Sequence, residues 1–226
     1  MIHIDFLSSI YPLSAAKVVD IGAGDGTYAR ELARAGAQVT AIEIDEVKLE
    51  QLQANSHPNM QAMLGRAEAI PLADGSQDLA CMFFSLHHVP EEVQEAALRE
   101  ITRVVKPGGR LHIVEPFPYG SMFDVVRMIE EETKVRRRSH ALMRDLAQRD
   151  GFQLLEHKDY VLTRVFDDFD ALLTKIVYSD QKRSNALPDV REEMQQVFDL
   201  VGETTPEGRA FHQPCAAYHF ALNAAG

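Results

Sequence analysis

A glycine-rich turn between an apolar run and a helical pattern constrains this chain more than any other feature. The apolar run at 18–21 is typical of a buried strand, and Gly22, Gly24 and Gly26 follow it at alternate positions. A helical pattern begins directly afterwards and ends at Gly36. Because glycine has no Cβ atom, such a turn lets the backbone and a helix N-terminus approach a ligand closely. The sequence therefore predicts a strand–turn–helix unit that binds a ligand.

The next apolar run, at 39–42, ends at Glu43. In folds that bind nucleoside cofactors, a carboxylate about 20 residues beyond the glycine turn binds the ribose hydroxyls. The glycines are spaced Gly-x-Gly-x-Gly, whereas the dinucleotide fingerprint is Gly-x-Gly-x-x-Gly, so the motif alone does not identify the nucleoside.

Further apolar runs at 60–64, 79–84 and 111–114 alternate with helical patterns, and this alternation predicts a doubly wound parallel sheet. The second half of the chain breaks the alternation. Its patterns predict two helical pieces within 119–150 and a strand at 153–165. Two helical segments at 169–178 and 190–201 and a last strand at 216–222 follow. We expect one domain over 1–226, in which insertions at 116–136 and 167–212 form a cap that binds the substrate at the carboxyl edge of the sheet.

Charge and composition narrow the class of protein. A net charge of −11 argues against an extended nucleic-acid surface, since phosphate binding needs a basic face. No apolar run approaches the roughly 20 residues needed to span a bilayer, and Asp5 interrupts the apolar N-terminus, which makes it a poor signal peptide. Cys81 and Cys215 lie in apolar surroundings that indicate reduced thiols. We expect a cytoplasmic monomer or homodimer that binds no nucleic acid and has no membrane span.

The motifs occur in an order that resembles the class I S-adenosylmethionine-dependent methyltransferases, within the branch that acts on small molecules. These motifs are Asp20–Gly26, Glu43, Gly65–Glu68, Asp78, Ser85–Val89 and Arg103–Gly109, and the resemblance covers about residues 14–165. It implies a Rossmann-like methyltransferase fold: an α/β, doubly wound, mostly parallel seven-stranded sheet with helical insertions that form a cap. It also implies methyl transfer from S-adenosyl-L-methionine to a small-molecule substrate, with S-adenosyl-L-homocysteine as product.

The resemblance assigns the first part of the cofactor site residue by residue. It implies that the backbone of Gly22, Ala23 and Gly24 approaches the amino-acid part of the cofactor. Asp20 would support the ammonium group, and Glu43 would accept both ribose hydroxyls.

The second part of the cofactor site departs from the family pattern at one position. The resemblance implies that Ala67 donates from its backbone to adenine, with Glu68 nearby, and that Ser85 lies near the methionine portion. Family members often carry Asp where this chain has Arg66, and arginine cannot accept the adenine amino group. Either Glu68 replaces that contact or adenine recognition is looser.

Residues at the strand edge and in the insertions are candidates for catalysis and substrate binding. His88 is the first choice for a general base and Glu115 the second, with Tyr119, Met122 and Tyr178 as substrate contacts and no metal. The alternatives are that His88 merely precedes a helix and that Met122 belongs to a core stripe.

Two other functions stay open. The chain could be a non-catalytic S-adenosylmethionine-binding module or subunit, because binding residues and transfer geometry are separate matters. An NAD(P)-dependent oxidoreductase would need the dinucleotide spacing, which the glycine turn lacks.

Overall fold

The computed structural model describes residues 2–223, which form two compact units. Unit 1 holds residues 2–115, 139–158 and 217–223 of the described chain, and unit 2 holds 116–138 and 159–216. The insertions expected at 116–136 and 167–212 both fall within unit 2.

The regular elements alternate as the sequence patterns predict through the first half of the chain. The strands are β1 (Lys17–Ile21), β2 (Gln38–Glu43), β3 (Met60–Leu64), β4 (Gln77–Phe83), β5 (Val105–Pro116), β6 (Phe152–Phe166), β7 (Glu203–Thr205) and β8 (Gly208–Leu222). The helices are α1 (Ile2–Ile10), α2 (Thr27–Arg34), α3 (Glu46–Ala54), α4 (Gln94–Val104), α5 (Ser121–Val126), α6 (Thr133–Leu146), α7 (Phe169–Leu172) and α8 (Gln181–Val201).

The strands form one sheet in the order β3-β2-β1-β4-β5-β8-β6, with β7 paired to β8. The pairs β3–β2, β2–β1, β1–β4 and β4–β5 are parallel, and β7 is antiparallel to β8. The doubly wound, mostly parallel α/β sheet is thus confirmed. Within the described residues the sheet has eight strands rather than seven, because the three-residue β7 is too short to leave a pattern in the sequence.

Two boundaries predicted for the second half of the chain are wrong, and both errors involve a proline. Strand β8 begins at Gly208, whereas the sequence predicted a start at 216. The prediction was too short because proline normally interrupts a strand, and Pro214 lies within β8. Helix α8 begins at Gln181 instead of 190 and continues through Pro188, a residue that usually ends a helix. The Asp180 side chain caps α8 by accepting from the backbone amides of Lys182 and Arg183.

The parallel strands of unit 1 are buried on both faces. In β1 only Lys17 is exposed, and the last five residues of β2 are buried, as expected for central parallel strands covered by helices. Helix α4 buries an apolar stripe that includes Ala97, Ile101 and Val104. This packing fixes the carboxyl ends of β1, β2 and β4, where the candidate site lies.

Unit 2 has a hydrophobic core of its own. Three ring contacts join Phe169 to Phe198, Phe198 to Phe211 and Phe211 to Phe166, with centroids 5.4, 4.8 and 5.9 Å apart. Apolar side chains from α5, α7 and α8 surround these rings. Unit 2 therefore buries enough apolar surface to be a packed body and not a set of loops.

Cys81 and Cys215 are both buried, and neither forms a disulfide bond within residues 2–223. Among residues 2–223, no helix combines the length and the apolar character needed to cross a membrane.

Candidate functional site

The glycine turn adopts backbone angles that favour glycine and leaves space at its centre. Gly22, Gly24 and Gly26 have φ of +73°, +58° and +77°. The amides of Gly22 and Ala23 donate to the Ile42 carbonyl at 2.9 and 3.0 Å, which fixes the turn against the end of β2. A Cβ atom on Gly24 would meet no atom within 4 Å. A ligand can therefore approach the backbone at Gly24.

Glu43 ends β2 and holds its carboxylate beside this turn. Its side chain is buried. Its Oε2 accepts from the Gly24 amide at 2.7 Å, and its Oε1 accepts from the amides of Ile44 and Asp45 at 2.9 and 3.0 Å. A carboxylate has about four acceptor sites, so these donors orient the group and leave capacity for a ligand hydroxyl.

Asp20, near the end of β1, is a buried carboxyl with an unsatisfied oxygen. Its Oδ2 has no hydrogen-bond partner among the described residues. Burial, reinforced by the charges of Glu43 and Asp25, raises the pKa of Asp20 to about 7. A buried carboxyl oxygen without a partner is costly, and a ligand cation would remove the cost. The position thus fits the ammonium group that the sequence resemblance implied.

The loop after β3 carries the residues expected near adenine. The guanidinium of Arg66 lies 3.7 Å from the Glu68 carboxylate, and Ala67 between them is half-buried. The Ala69 amide donates to the Arg66 carbonyl at 3.1 Å and closes the turn. Arg66 thus pairs with Glu68, whose carboxylate is the expected replacement for the Asp that would accept the adenine amino group.

The segment after β4 begins with a strained residue. Phe84 has φ of +56°, a left-handed conformation that non-glycine residues rarely adopt. Its amide donates to the Val114 carbonyl at 2.8 Å. Ser85 then turns toward β1, and its Oγ donates to the Ile21 carbonyl at 2.6 Å. Ser85 therefore lies against the glycine turn, where a Cβ on Gly22 would come within 2.7 Å of the Ser85 Cβ.

Beside this segment, Glu115 is wholly buried and accepts three hydrogen bonds. Leu86 donates its amide to Oε1 at 3.0 Å, and the Ser139 hydroxyl and His87 Nδ1 lie 2.9 and 2.7 Å from Oε2. His88 is exposed, and its ring lies 4.0 Å from that of His87. Sequence reasoning favoured His88 and Glu115 but missed Ser139 and the pairing with His87. These partners are 24 and 28 residues from Glu115, so no local pattern relates them.

The three residues expected to contact substrate have different environments in unit 2. Tyr119 and Tyr178 are 54% and 58% exposed, and Tyr119 stacks on Phe117 with centroids 5.2 Å apart. Met122 packs in the core of unit 2, which favours the alternative that it belongs to a core stripe. Only the two tyrosines present surface to a ligand.

Comparison with known proteins identifies the first half of the chain. A family profile described as a methyltransferase domain matches residues 18–109, a segment that contains the glycine turn, Glu43 and Ser85. A demethylmenaquinone methyltransferase of Corynebacterium kroppenstedtii is 39% identical over 104 residues, which are 46% of this chain and 43% of that protein. The chain spans less than half the length of the curated relatives that it matches.

Solved structures resemble the chain over nearly its whole length. A Bacillus halodurans protein described as a methyltransferase superposes with a TM-score of 0.63 at 20% identity, over 98% of each chain. A SAM-dependent methyltransferase of Aquifex aeolicus gives a TM-score of 0.55 at 16% identity, over 97% of this chain and 88% of that one. At such identities the likeness establishes the fold alone. Residues 18–109 thus match a methyltransferase domain in sequence, and the chain over nearly its whole length has the fold of these solved structures.

Proposed function

We propose that this protein transfers a methyl group from S-adenosylmethionine to a small-molecule acceptor by in-line displacement. The observation that carries the proposal is the buried Oδ2 of Asp20, which has no hydrogen-bond partner within residues 2–223 and lies in the strand that leads into a glycine turn open at Gly24. A ligand with a cationic group next to a nucleoside would satisfy this oxygen.

The residues present fit that cofactor. Asp20 would bind its ammonium group, the backbone from Gly22 to Gly24 would approach its amino-acid part, and Glu43 would accept from the ribose hydroxyls. When bound, S-adenosylmethionine supplies an electrophilic methyl group and a neutral thioether as leaving group. The protein's task is to hold the acceptor in line with that methyl group and to exclude water.

Adenine recognition would differ from the usual family pattern, because Arg66 occupies the position where Asp is common. Ala67 would donate from its backbone, and Glu68 would accept from the adenine amino group in place of the missing Asp. The Glu68 carboxylate lies at this loop, 3.7 Å from the Arg66 guanidinium, which supports Glu68 as the replacement.

For the acceptor we propose a small, partly apolar molecule bound by unit 2, acting as the cap. The charge of −11 disfavours RNA and DNA. The chain enters unit 2 at Pro116, directly after Glu115 at the end of β5. Tyr119 and Tyr178 supply exposed aromatic surface there. Because one relative is named a demethylmenaquinone methyltransferase, substituted naphthoquinols belong among the first acceptors to test.

Calorimetric titration with S-adenosylhomocysteine, with NADH as the control ligand, tests the cofactor. We expect micromolar binding of the first and none of the second. Binding of NADH alone would replace the proposal with an oxidoreductase, and binding of neither would refute a preformed site. Incorporation of label from tritiated S-adenosylmethionine into naphthoquinols, phenols and amines, compared with RNA and protein, then tests the acceptor. Binding of S-adenosylhomocysteine without methyl transfer to any acceptor would instead support a non-catalytic binding module.

We further propose that the protein acts in the cytoplasm as a monomer or homodimer. The thiols of Cys81 and Cys215 are buried and form no disulfide bond in the described part of the chain, which suits a reducing compartment. Light scattering on the purified protein measures its mass directly, and a tetramer or larger assembly would contradict the proposal.

A further inference from the structure

We propose that the Phe117–Tyr119 pair binds a planar aromatic ring of the acceptor by stacking, and that Arg136 and Gln213 hold the pair in place. This inference rests on the proposed function. It narrows the acceptor from a small, partly apolar molecule to one that carries a flat aromatic ring. Tyr119 is then a substrate contact, and Arg136 and Gln213 are positioning residues.

The two rings of the Phe117–Tyr119 pair are stacked on each other. Pro118 separates them in the sequence, and a proline restricts both its own backbone and that of the residue before it. The ring centroids lie 5.2 Å apart and the ring planes differ by 28°. Aromatic pairs prefer such an offset stack to a direct face-to-face contact. The pair is therefore a flat aromatic surface with a defined orientation.

The second face of the Tyr119 ring is open to a ligand. Phe117 covers one face, yet Tyr119 is 54% exposed. A flat aromatic ring laid on the open face would extend the stack from two rings to three. A saturated ring of the same size would bury a similar area but lacks the π-system and the flat shape on which stacking depends. The surface thus favours an aromatic acceptor over an aliphatic one.

Hydrogen bonds from distant side chains hold the backbone of the Phe117–Tyr119 pair. The amide nitrogen of Gln213, Nε2, donates to the carbonyls of Phe117 and Tyr119 at 2.9 and 3.4 Å. The Arg136 guanidinium donates to the Phe117 carbonyl at 3.3 Å and to Oε1 of Gln213 at 3.2 Å. The Phe117 amide donates to the Pro214 carbonyl at 2.8 Å. The backbone on both sides of Pro118 is therefore anchored.

The anchoring side chains are themselves fixed. Two nitrogens of Arg136 donate to one carboxylate oxygen of Glu132 at 3.0 and 2.7 Å. The guanidinium carbon lies 4.7 Å from the centroid of the Phe123 ring. Arg136, Glu132 and Gln213 are all buried. Because arginine has donors only, Oε1 of Gln213 must face it and Nε2 must face the carbonyls. The network thus preorganises the stack before any ligand binds.

The stack begins where a strand of the sheet ends. Strand β5 ends at Pro116, and Phe117 directly follows it. Ligands of α/β folds bind beyond the carboxyl ends of the parallel strands. The Phe117–Tyr119 pair and the side chains that anchor it all belong to unit 2, so they form one site within that unit.

Calorimetric titration with 1-naphthol and with decahydro-1-naphthol tests the aromatic preference, in protein saturated with S-adenosylhomocysteine. The two probes share a carbon skeleton and a hydroxyl group, but only 1-naphthol is flat and aromatic. We expect 1-naphthol to bind about 2–10-fold more tightly, the range that stacking adds beyond buried area. Equal affinities, or no binding of 1-naphthol, would overturn the proposal. Failure of S-adenosylhomocysteine to bind would instead refute the proposed function.

Variants of Tyr119 test whether the stack causes the preference. Tyr119→Leu should abolish the preference for 1-naphthol, while the affinity for S-adenosylhomocysteine is unchanged. The matched variant Tyr119→Phe keeps an aromatic ring and should keep the preference. A preference that survives in Tyr119→Leu would overturn the proposal.

The positioning residues need a readout that a merely structural role would not move. The chain has no tryptophan, so Tyr119→Trp introduces a single fluorescent ring at the stack. Gln213→Glu keeps an acceptor for Arg136 but cannot donate to the two carbonyls. Combined with Tyr119→Trp, it should lower the fluorescence anisotropy of the indole, because the segment becomes more mobile.

The same substitution in the protein with Tyr119 intact should remove the preference for 1-naphthol and leave S-adenosylhomocysteine affinity unchanged. Arg136→Met removes the donors of the guanidinium and is the second variant should Gln213→Glu fail to fold. Unchanged anisotropy and an unchanged preference for 1-naphthol in the folded variant would overturn the positioning role.

Discussion

Replacement of Asp20 by Asn should change how the stability of the protein depends on pH. The carboxyl is buried, and its pKa is raised from 3.8 to about 7. Because the folded state prefers the protonated form, this group contributes its full stability below pH 3.8 and loses it as the pH rises through about 7. An asparagine is neutral at every pH, so this loss should be absent from the variant.

The size of the effect follows from the two pKa values. A pKa difference of about three units corresponds to about 4 kcal/mol once the folded carboxyl is ionised. Between about pH 5.5 and pH 8.5, the free energy of unfolding of the wild type should fall by about 2 kcal/mol relative to Asp20→Asn. A constant cost of the amide, such as an unmade hydrogen bond, cancels in this comparison of slopes.

Urea unfolding without cofactor, repeated across this pH range, measures the two curves. Asp25→Asn is the matched control, since the Asp25 charge is only the smallest of the causes that raise the Asp20 pKa. We expect the control to follow the wild type closely. Parallel curves for wild type and Asp20→Asn would refute the reasoning, because Asp20 would then be ionised at neutral pH in the folded protein.

Three further predictions concern the cofactor turn and a buried histidine. Glu43→Ala should weaken S-adenosylhomocysteine binding by about 1–3 kcal/mol in calorimetry, the range for lost charge-assisted hydrogen bonds, and unchanged affinity would remove Glu43 from the site. Gly22→Ala should lower the free energy of unfolding by about 1–3 kcal/mol from backbone strain alone, and the clash of the new Cβ with Ser85 should lower it further. The control Gly75→Ala should lower it less, because a Cβ there would meet no described atom within 4 Å. Burial lowers the His112 pKa from 6.5 to about 3, so the free energy of unfolding of the wild type decreases as the pH drops below 6.5. At pH 5 this decrease should be smaller by about 2 kcal/mol in His112→Leu, as measured by urea unfolding.

Local signals explain why the glycine turn and the position of Glu43 at a strand end could be predicted from sequence. The glycines at 22 and 24 need positive φ, and Glu43 ends an apolar strand, so both features are visible within a few residues. Strand β3 was predicted with its observed bounds, Met60–Leu64, for the same reason. Such features depend on backbone conformation and periodicity, which neighbouring residues determine.

The hydrogen bonds around Glu115 could not be predicted in the same way. His87, Glu115 and Ser139 come from three separated segments, and only the folded sheet brings them together. The extent of β8 was missed because its pairing overrides the local effect of Pro214. These hydrogen bonds and the extent of β8 thus depend on pairing between distant segments, which local sequence patterns do not reveal.

The position of β8 in the sheet has a consequence for synthesis. Strand β6 leaves the ribosome before β8, yet β8 lies between β5 and β6 in the sheet. Strand β6 therefore has no neighbour to pair with until more than 40 further residues have been made. During this interval a growing chain displays a long strand with both edges unpaired, and this is the stage at which nascent protein is most exposed to aggregation and to chaperones.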